Sequence, residues 1–170
     1  MFEVGDKIVY PMHGAGVIES IEEREILGQK QNYYIVRMPI GDMKVMIPID
    51  NVEDIGIREI IGVQEVEKVI ETLKEQNTIV TNNWNKRYRE NMGKIKTGDI
   101  FEVAEVVKTL MVRDKEKGLS TGEKKMLNNA KQILISELVL AKGVDHSEIE
   151  SAIDNIVDNS IEDTDNSIEP

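Results

Sequence analysis

Several residue types are scarce in this chain, and each scarcity excludes a class of protein. There is no cysteine, so neither a disulfide framework nor a thiolate metal site can form. No apolar run approaches the roughly 20 residues that a membrane span needs. Charges at Glu3, Asp6 and Lys7 interrupt any signal-peptide core. We therefore expect a soluble cytoplasmic protein without a membrane segment.

Positive charge is also scarce overall, but it is concentrated in one stretch. The net charge is −11; residues 145–170 hold nine acids and no lysine or arginine, and residues 1–62 hold 11 acids and six bases. Residues 84–117 reverse this balance with nine bases and six acids. The distribution of charge bears on nucleic-acid binding more than the sum does. The basic middle of the chain is therefore the candidate for such a contact.

Residues 1 to about 55 have the composition of short β-strands. Val, Ile and Tyr are enriched in four segments, and turn residues such as Gly28 and Gly41-Asp42 separate them. Four or five strands in so short a stretch indicate a small, strongly bent sheet or barrel. The four segments are Lys7–Pro11, Gly16–Ile26, Gln31–Met38 and Lys44–Ile49.

After about residue 62 the apolar residues recur at helical spacing, which predicts about five helices. Asp99 and Ser120 are predicted N-caps, and Glu123 completes a capping-box pattern with Ser120. Gln76–Asn83 is polar and predicts a loop. The fold class is therefore α+β: a β domain at 1–58, a helical domain at 59–158, and an acidic tail at 159–170 that we expect to be disordered.

The strongest local signal is the stretch Asn83–Asn91, which contains the only tryptophan. Trp84, Tyr88, Met92 and Ile95 fall on one helical face, and bases occupy the rest of the helix. For the last three residues a place in the core is the simpler interpretation. Trp84, in the first turn, fits either the core or an apolar wedge that unstacks a base step in the minor groove. The bases of this helix are Lys86, Arg87, Arg89, Lys94 and Lys96.

A second basic pair, Lys124 and Lys125, lies in the first turn of the helix that Ser120 caps. A helix N-terminus with lysines can hold a phosphate. An exposed polar pair with no ligand is the alternative.

Catalytic patterns are weak. His13 and His146 are the only histidines and lie in different domains. His13-Gly14-Ala15-Gly16 resembles glycine-rich oxyanion loops faintly, but no Gly-x-Ser-x-Gly elbow follows, and a β turn explains it better. Asp145–Glu148 is typical of a helix cap rather than a metal site. We expect no enzyme, no metal, no cofactor and no small-molecule substrate, with a hydrolase built on His13 as a distant alternative.

Three blocks in order resemble the CarD family of bacterial transcription regulators, which includes the CdnL group. They are Phe2–Pro11 followed by His13-Gly14, Asn83–Asn91, and Gly118–Leu127. The resemblance covers about residues 1–145, and three ordered blocks are more specific than any one of them.

The resemblance implies a Tudor-like N-terminal domain that docks on the β subunit of RNA polymerase. It also implies a helical domain that reaches promoter DNA at the upstream edge of the melted region, with Trp84 as a minor-groove wedge and Lys86, Arg87 and Arg89 on the backbone. Arg24 matches a position that faces the polymerase. The neighbouring contact position, often Arg in actinobacterial members, is Met46 here, with Lys44 on the same strand face.

The function that the resemblance implies, and with which the charge distribution agrees, is stabilisation of the promoter open complex by a nucleoid-associated regulator. DNA binding by the free chain should be weak and salt-dependent. An RNA polymerase-binding adaptor whose helical domain contacts another protein instead of DNA remains the alternative.

Overall fold

The N-terminal part of the chain forms a five-stranded antiparallel sheet. The computed structural model describes residues 1–39, 41–75 and 82–168, and of residues 162–168 the backbone alone. The strands follow the order β4-β3-β2-β1-β5 across the sheet. The predicted bent sheet is confirmed, and its four longer strands agree with the predicted segments to within two residues. The strands are β1 (Lys7–Tyr10), β2 (Gly14–Ile26), β3 (Gln29–Arg37), β4 (Lys44–Pro48) and β5 (Arg58–Glu59).

One face of this sheet carries its own small core. Ile18 of β2 pairs with Val36 of β3, and Tyr34 of β3 pairs with Ile47 of β4; all four side chains are buried. The register between β2 and β3 shifts between Ile18 and Ser20. Such a bulge bends a strand and increases its local twist.

Six helices follow the fourth strand in the described ranges, and five of them form the helical domain, as predicted. A short 3-10 turn (Ile49–Asn51) leads into α1 (Val52–Ile55), which packs within the β domain. The five helices of the second domain are α2 (Val63–Lys74), α3 (Trp84–Lys96), α4 (Ile100–Glu116), α5 (Thr121–Lys142) and α6 (His146–Ile168).

The helical domain is held by one apolar core to which each of its helices contributes a stripe. Leu73 of α2, Ile95 of α3, Leu110 of α4, Leu134 of α5 and Val157 of α6 are all nearly or fully buried in it. Burial of this surface is the main favourable contribution to the packing of these helices.

The predicted helix caps are present. The Asp99 side chain accepts a hydrogen bond from the backbone N–H of Phe101 at 2.8 Å, and the Ser120 side chain accepts one from Glu123 at 3.2 Å. Each satisfies a donor that the first turn would otherwise leave unpaired.

The tail requires a correction. Disorder was expected from residue 159, but α6 continues to Ile168. The packed face of α6 extends past Val157 to Ile161, which supports the helix to that point: Ser160 donates from Oγ to the carbonyl of Lys74 at 3.2 Å, and Ile161 packs against the helical core. A loop was predicted at 76–83. Residues 76–81 of that stretch lie outside the described residues.

Candidate nucleic-acid interface

Trp84 is the first residue of α3 and projects from the end of the helix. The side chain of Asn83 caps the helix by accepting from the backbone N–H of Lys86 at 3.1 Å. A residue that follows a cap directly has no preceding helical turn to cover it. As a result, 42% of Trp84 is exposed, the only large apolar side chain of the described helical domain besides Val63 to be so open.

Two contacts hold the indole in place. Its Nε1–H donates to Oγ of Ser120 at 3.0 Å. Its ring stacks on Tyr88 one turn along α3, with centroids 5.0 Å apart and planes 20° apart. Ser120 Oγ also accepts from the backbone N–H of Glu123, and a hydroxyl oxygen has the two lone pairs that this requires. The same hydroxyl therefore caps α5 and anchors the tryptophan.

Arg87, which was predicted to contact DNA, is buried beneath this site. Only 3% of it is exposed, and it forms a bidentate ion pair with Glu123, itself 1% exposed. The Nε–Oε2 distance is 2.7 Å and the Nη2–Oε1 distance is 2.9 Å. The hydrogen bonds from Arg87 lower the pKa of Glu123, and those bonds in turn raise the pKa of Arg87. Because its guanidinium is buried and paired with Glu123, Arg87 joins α3 to α5 and does not belong to the exposed cationic surface.

The other predicted phosphate contacts are exposed. Lys86 and Arg89 lie on the outer side of α3, and Lys124 and Lys125 lie in the first turn of α5. Arg89 makes a long hydrogen bond of 3.4 Å to the carbonyl of Asn85. The Trp84–Ser120 bond brings the starts of α3 and α5 together, so these cations share one end of the domain with the indole. Two helix N-termini add partial positive charge there.

The residues predicted to face the polymerase share one face of the sheet. Arg24 pairs with Gln31, Met46 with Ile35, and Lys44 with Arg37; the β3 partners are an even number of residues apart. Side chains alternate along a strand, so all three project to the same side. This face lies opposite the Tyr34 core.

Ion pairs on this face are exposed and weak. Arg24 contacts Glu22 at 2.8 Å, and Lys44 contacts Glu19 at 3.2 Å. Exposed pairs contribute about 0–1 kcal/mol, so neither cation is committed to its intramolecular partner.

Comparison with known proteins gives matches along almost the whole chain. The family model described as the CarD-like/TRCF RID domain matches residues 2–61, and the model of the CarD C-terminal domain matches residues 68–154. The chain belongs to the CarD family. It is 47% identical over 151 residues to YdeB of Bacillus subtilis (strain 168), provisionally named a transcription factor, covering 89% of this chain and 99% of that protein. This CarD-family chain is accordingly a transcription regulator.

Two solved structures are similar to its N-terminal domain. The 72-residue N-terminal domain of Myxococcus xanthus CarD is 34% identical and covers 35% of this chain and 79% of its own, with a TM-score of 0.31. The CdnLNt structure from the same organism is 46% identical and covers 36% of this chain and 86% of its own, also with a TM-score of 0.31.

The histidines of this CarD-family chain lie apart, as the sequence predicted. His13 lies in the turn between β1 and β2, with its N–H bonded to the carbonyl of Tyr10 at 2.9 Å and its ring edge-on to the Tyr10 ring. His146 lies at the start of α6, with Nε2 3.1 Å from the Gln132 side-chain oxygen. Within the three described ranges, His, Asp and Glu side chains form no group of three that could hold a metal ion. No described helix is long and apolar enough to cross a bilayer.

Besides the Arg87–Glu123 pair, sequence reasoning missed two sets of contacts. Ser120 was recognised as a cap, but its second role as the partner of the Trp84 indole has no sequence signal, because the two residues are 36 positions apart. The partly exposed Arg58 and the buried Glu137 form an ion pair that joins the two domains, and they are 79 positions apart. A glutamate inside an otherwise apolar stretch of α5 was the one visible hint that Glu137 has a partner.

Proposed function

We propose that this protein docks on the β subunit of RNA polymerase through its sheet and stabilises the promoter open complex by inserting Trp84 at the upstream edge of the bubble. The observation that carries the proposal is the half-exposed indole, held by Ser120 and Tyr88 among exposed cations at the start of two helices. Apolar wedges that enter the minor groove unstack a base step and need backbone contacts beside them. Lys86, Arg89, Lys124 and Lys125 are suited to those contacts.

The charge distribution supports a tethered mode of binding. The chain carries −11 overall, and with Arg87 buried only a few cations remain to neutralise phosphates. Free DNA should therefore be bound weakly and in a salt-dependent way. A second attachment raises the effective concentration of the wedge at the promoter to the millimolar range for short tethers. We assign that attachment to Arg24, Lys44 and Met46 on the face of the sheet opposite the Tyr34 core.

The proposed role requires no chemistry by the protein. Wedging shifts an equilibrium between open and closed promoter DNA, and a tenfold shift corresponds to about 1.4 kcal/mol. We propose a non-enzymatic regulator that acts in the cytoplasm at the nucleoid, with no metal, cofactor or small-molecule substrate.

The decisive experiment is the lifetime of the open complex on one promoter with the cognate polymerase. Wild type should lengthen it, and Trp84→Ala should lose most of that effect while retaining polymerase binding. Val63→Ala is the matched control, because Val63 is an exposed apolar residue at the start of α2, 66% open to solvent. Equal lifetimes for wild type and Trp84→Ala, with binding intact in both, would contradict the wedge.

An adaptor that contacts a second protein is the alternative. The burial of Arg87 favours it, since that removes one of the cations counted on for DNA. Footprints of the polymerase–promoter complex distinguish the two: the wedge protects the upstream edge of the bubble in a Trp84-dependent manner, whereas the adaptor leaves the DNA footprint unchanged.

A further inference from the structure

The boundary between the sheet and the helices contains an ion pair whose carboxylate is buried and whose guanidinium is partly exposed. Arg58 of β5 donates two hydrogen bonds to Glu137 of α5, Nη2–Oε1 at 2.7 Å and Nη1–Oε2 at 2.8 Å. Glu137 is only 3% exposed. The backbone N–H of Ile61, in the segment between the domains, donates a third bond to the same carboxylate at 2.8 Å.

Arg58 also reaches the helix that carries Trp84. Its Nε and Nη2 donate to the carbonyl of Gly98, just beyond the end of α3, at 3.0 and 2.8 Å. A single side chain of the sheet thus bonds to α5 and to the end of α3. These are the two helices whose N-termini hold Ser120 and Trp84.

A second set of contacts surrounds this pair. The turn between β1 and β2 and the first residues of β2 contact the helical domain: Met12 packs on the helical core, and the N–H of Ala15 donates to Oγ of Ser136 at 2.8 Å. Pro11 lies against Gly98, where an added Cβ would come within 3.0 Å of its ring. The two domains therefore contact each other at several positions, and not at the Arg58–Glu137 pair alone.

Joined domains move relative to each other by default unless their interface is extensive and apolar. A buried ion pair contributes little net stability, because desolvation offsets the attraction, but its directional bonds can specify one arrangement over others. Four donor groups, three on Arg58 and the backbone N–H of Ile61, bond to the Glu137 carboxylate and the Gly98 carbonyl. All of these hydrogen bonds form together in a single orientation of the two domains relative to each other.

We propose that Arg58 and Glu137 form an orientation lock that fixes the direction of Trp84 relative to the polymerase-docking face. They are positioning residues, and the inference rests on the proposed wedge function. A bivalent binder gains from its second contact only when its geometry lets both contacts form at once. With the lock intact, a docked protein presents the indole in one direction; without it, the indole samples many directions and the wedge is occupied for less time.

The lock can be tested directly by a distance measurement. Because the chain has no cysteine, spin labels can be placed at Asp50→Cys in the β domain and Asn129→Cys in α5, both exposed. The wild-type background should give one narrow distance distribution by electron spin resonance. Glu137→Gln should broaden it. Glu105→Gln, which breaks the Lys94 pair inside the helical domain, is the matched control and should leave it narrow.

Function is measured on the same variants without labels. Glu137→Gln should shorten the open-complex lifetime about tenfold relative to wild type, equivalent to ~1.4 kcal/mol, with polymerase binding unchanged. Arg58→Gln is a second variant at a partly exposed position, for use if Glu137→Gln unfolds; circular dichroism reports folding in each case.

The outcomes separate the two proposals. A broadened distribution together with a shortened lifetime supports the lock. A distribution that stays narrow in both Glu137→Gln and Arg58→Gln overturns it, whatever the lifetimes are. A broadened distribution with an unchanged lifetime also overturns it, provided Trp84→Ala shortens the lifetime. If Trp84→Ala has no effect, the wedge function has failed, and the distance distribution alone still decides whether the pair fixes the domains.

Discussion

The indole Nε1–H of Trp84 donates to Oγ of Ser120 across 36 positions of sequence, at 3.0 Å. That hydroxyl is also the N-cap of α5. The direction of the tryptophan is therefore set by two helices together, and not by α3 alone. A side chain that must enter a base step benefits from being held in advance, because less conformational entropy is lost on binding.

Ser120→Ala should loosen the indole without removing it. Loss of the cap should lower the free energy of unfolding by about 1 kcal/mol. Because Trp84 is the only tryptophan, fluorescence anisotropy and acrylamide quenching report on it alone. We expect lower anisotropy and stronger quenching. Ser147→Ala, a serine in the first turn of α6, is the control and should leave both signals unchanged.

Glu123→Gln should destabilise the protein strongly, because it leaves the Arg87 guanidinium buried without its counter-charge. Breaking one half of a buried pair costs about 3–5 kcal/mol. Urea unfolding monitored by circular dichroism measures this cost. Glu105→Gln, which breaks an exposed pair with Lys94, should cost no more than about 1 kcal/mol. Similar costs for the two variants would contradict the structural role assigned to Arg87.

The same pair predicts an acid dependence. The pKa of Glu123 is lowered in the folded protein by the hydrogen bonds from Arg87. Its contribution to stability is therefore complete above the unfolded-state pKa of about 4.3 and is lost as the pH falls through the lower folded-state pKa. Wild type should lose stability over this interval more steeply than Glu123→Gln. Unfolding free energies measured between neutral and strongly acidic pH test this; parallel curves would rule it out.

Neutralising Lys124 and Lys125 should weaken DNA binding in a salt-dependent manner. Each phosphate contact contributes about 0.9 to the slope of log K against log salt on duplex DNA, so the double Gln variant should be less steep by up to about twice that amount. Lys142→Gln is the control, since Lys142 lies at the other end of α5, roughly 27 Å away at the helical rise per residue. An unchanged slope in the double variant would indicate that the DNA does not contact Lys124 and Lys125.

Met46→Arg should strengthen docking on the polymerase β subunit if the face of the sheet opposite the Tyr34 core is the docking surface. Met46 is exposed and shares that face with Arg24 and Lys44. Arg24→Ala should weaken the same interaction. Titration of the isolated β subunit against labelled protein measures both changes. Met43→Arg adds the same charge in the turn before β4, and an equal gain there would indicate non-specific attraction.

Gly14→Ala should destabilise the junction between the domains. Gly14 has φ of 108°, and an added Cβ would lie 2.7 Å from Oγ of Ser136. Overpacking of this kind costs about 1–3 kcal/mol, and the backbone strain adds to it. Gly28→Ala is a matched control: its φ is 80°, but no atom lies near the added Cβ. Both variants carry the backbone strain of a positive φ. The difference in their melting temperatures therefore measures the effect of the close contact between the added Cβ and Ser136.

Local patterns were sufficient to predict much of the fold. The strands follow from runs of Val, Ile and Tyr between turn residues, and Asp99 and Ser120 cap their helices as expected because capping depends on residues two or three positions away. The end of α6 was predicted incorrectly. Its acidic composition favoured disorder, but the contacts of Ser160 and Ile161 with the rest of the helical domain continue the helix.

The candidate site was predictable only in part. The order of the motifs identified Trp84 and its neighbouring bases, and the resemblance to the CarD family gave them a role. Arg87 shows where this reasoning stops. Its position among Lys86, Arg89 and Lys94 led to the prediction of another exposed cation. In the structure its position on the helix directs it inwards, where it pairs with Glu123 of α5.

The sequence alone determined most of the secondary structure, the family and the motif that contains Trp84, because each depends on residues that are close in the chain. Tertiary structure alone decided which charges remain free and how the two domains are joined. Arg87 with Glu123 and Arg58 with Glu137 are pairings between residues 36 and 79 positions apart. A charge pair depends on distance and desolvation in three dimensions, and neither quantity exists until the helices and the sheet have packed.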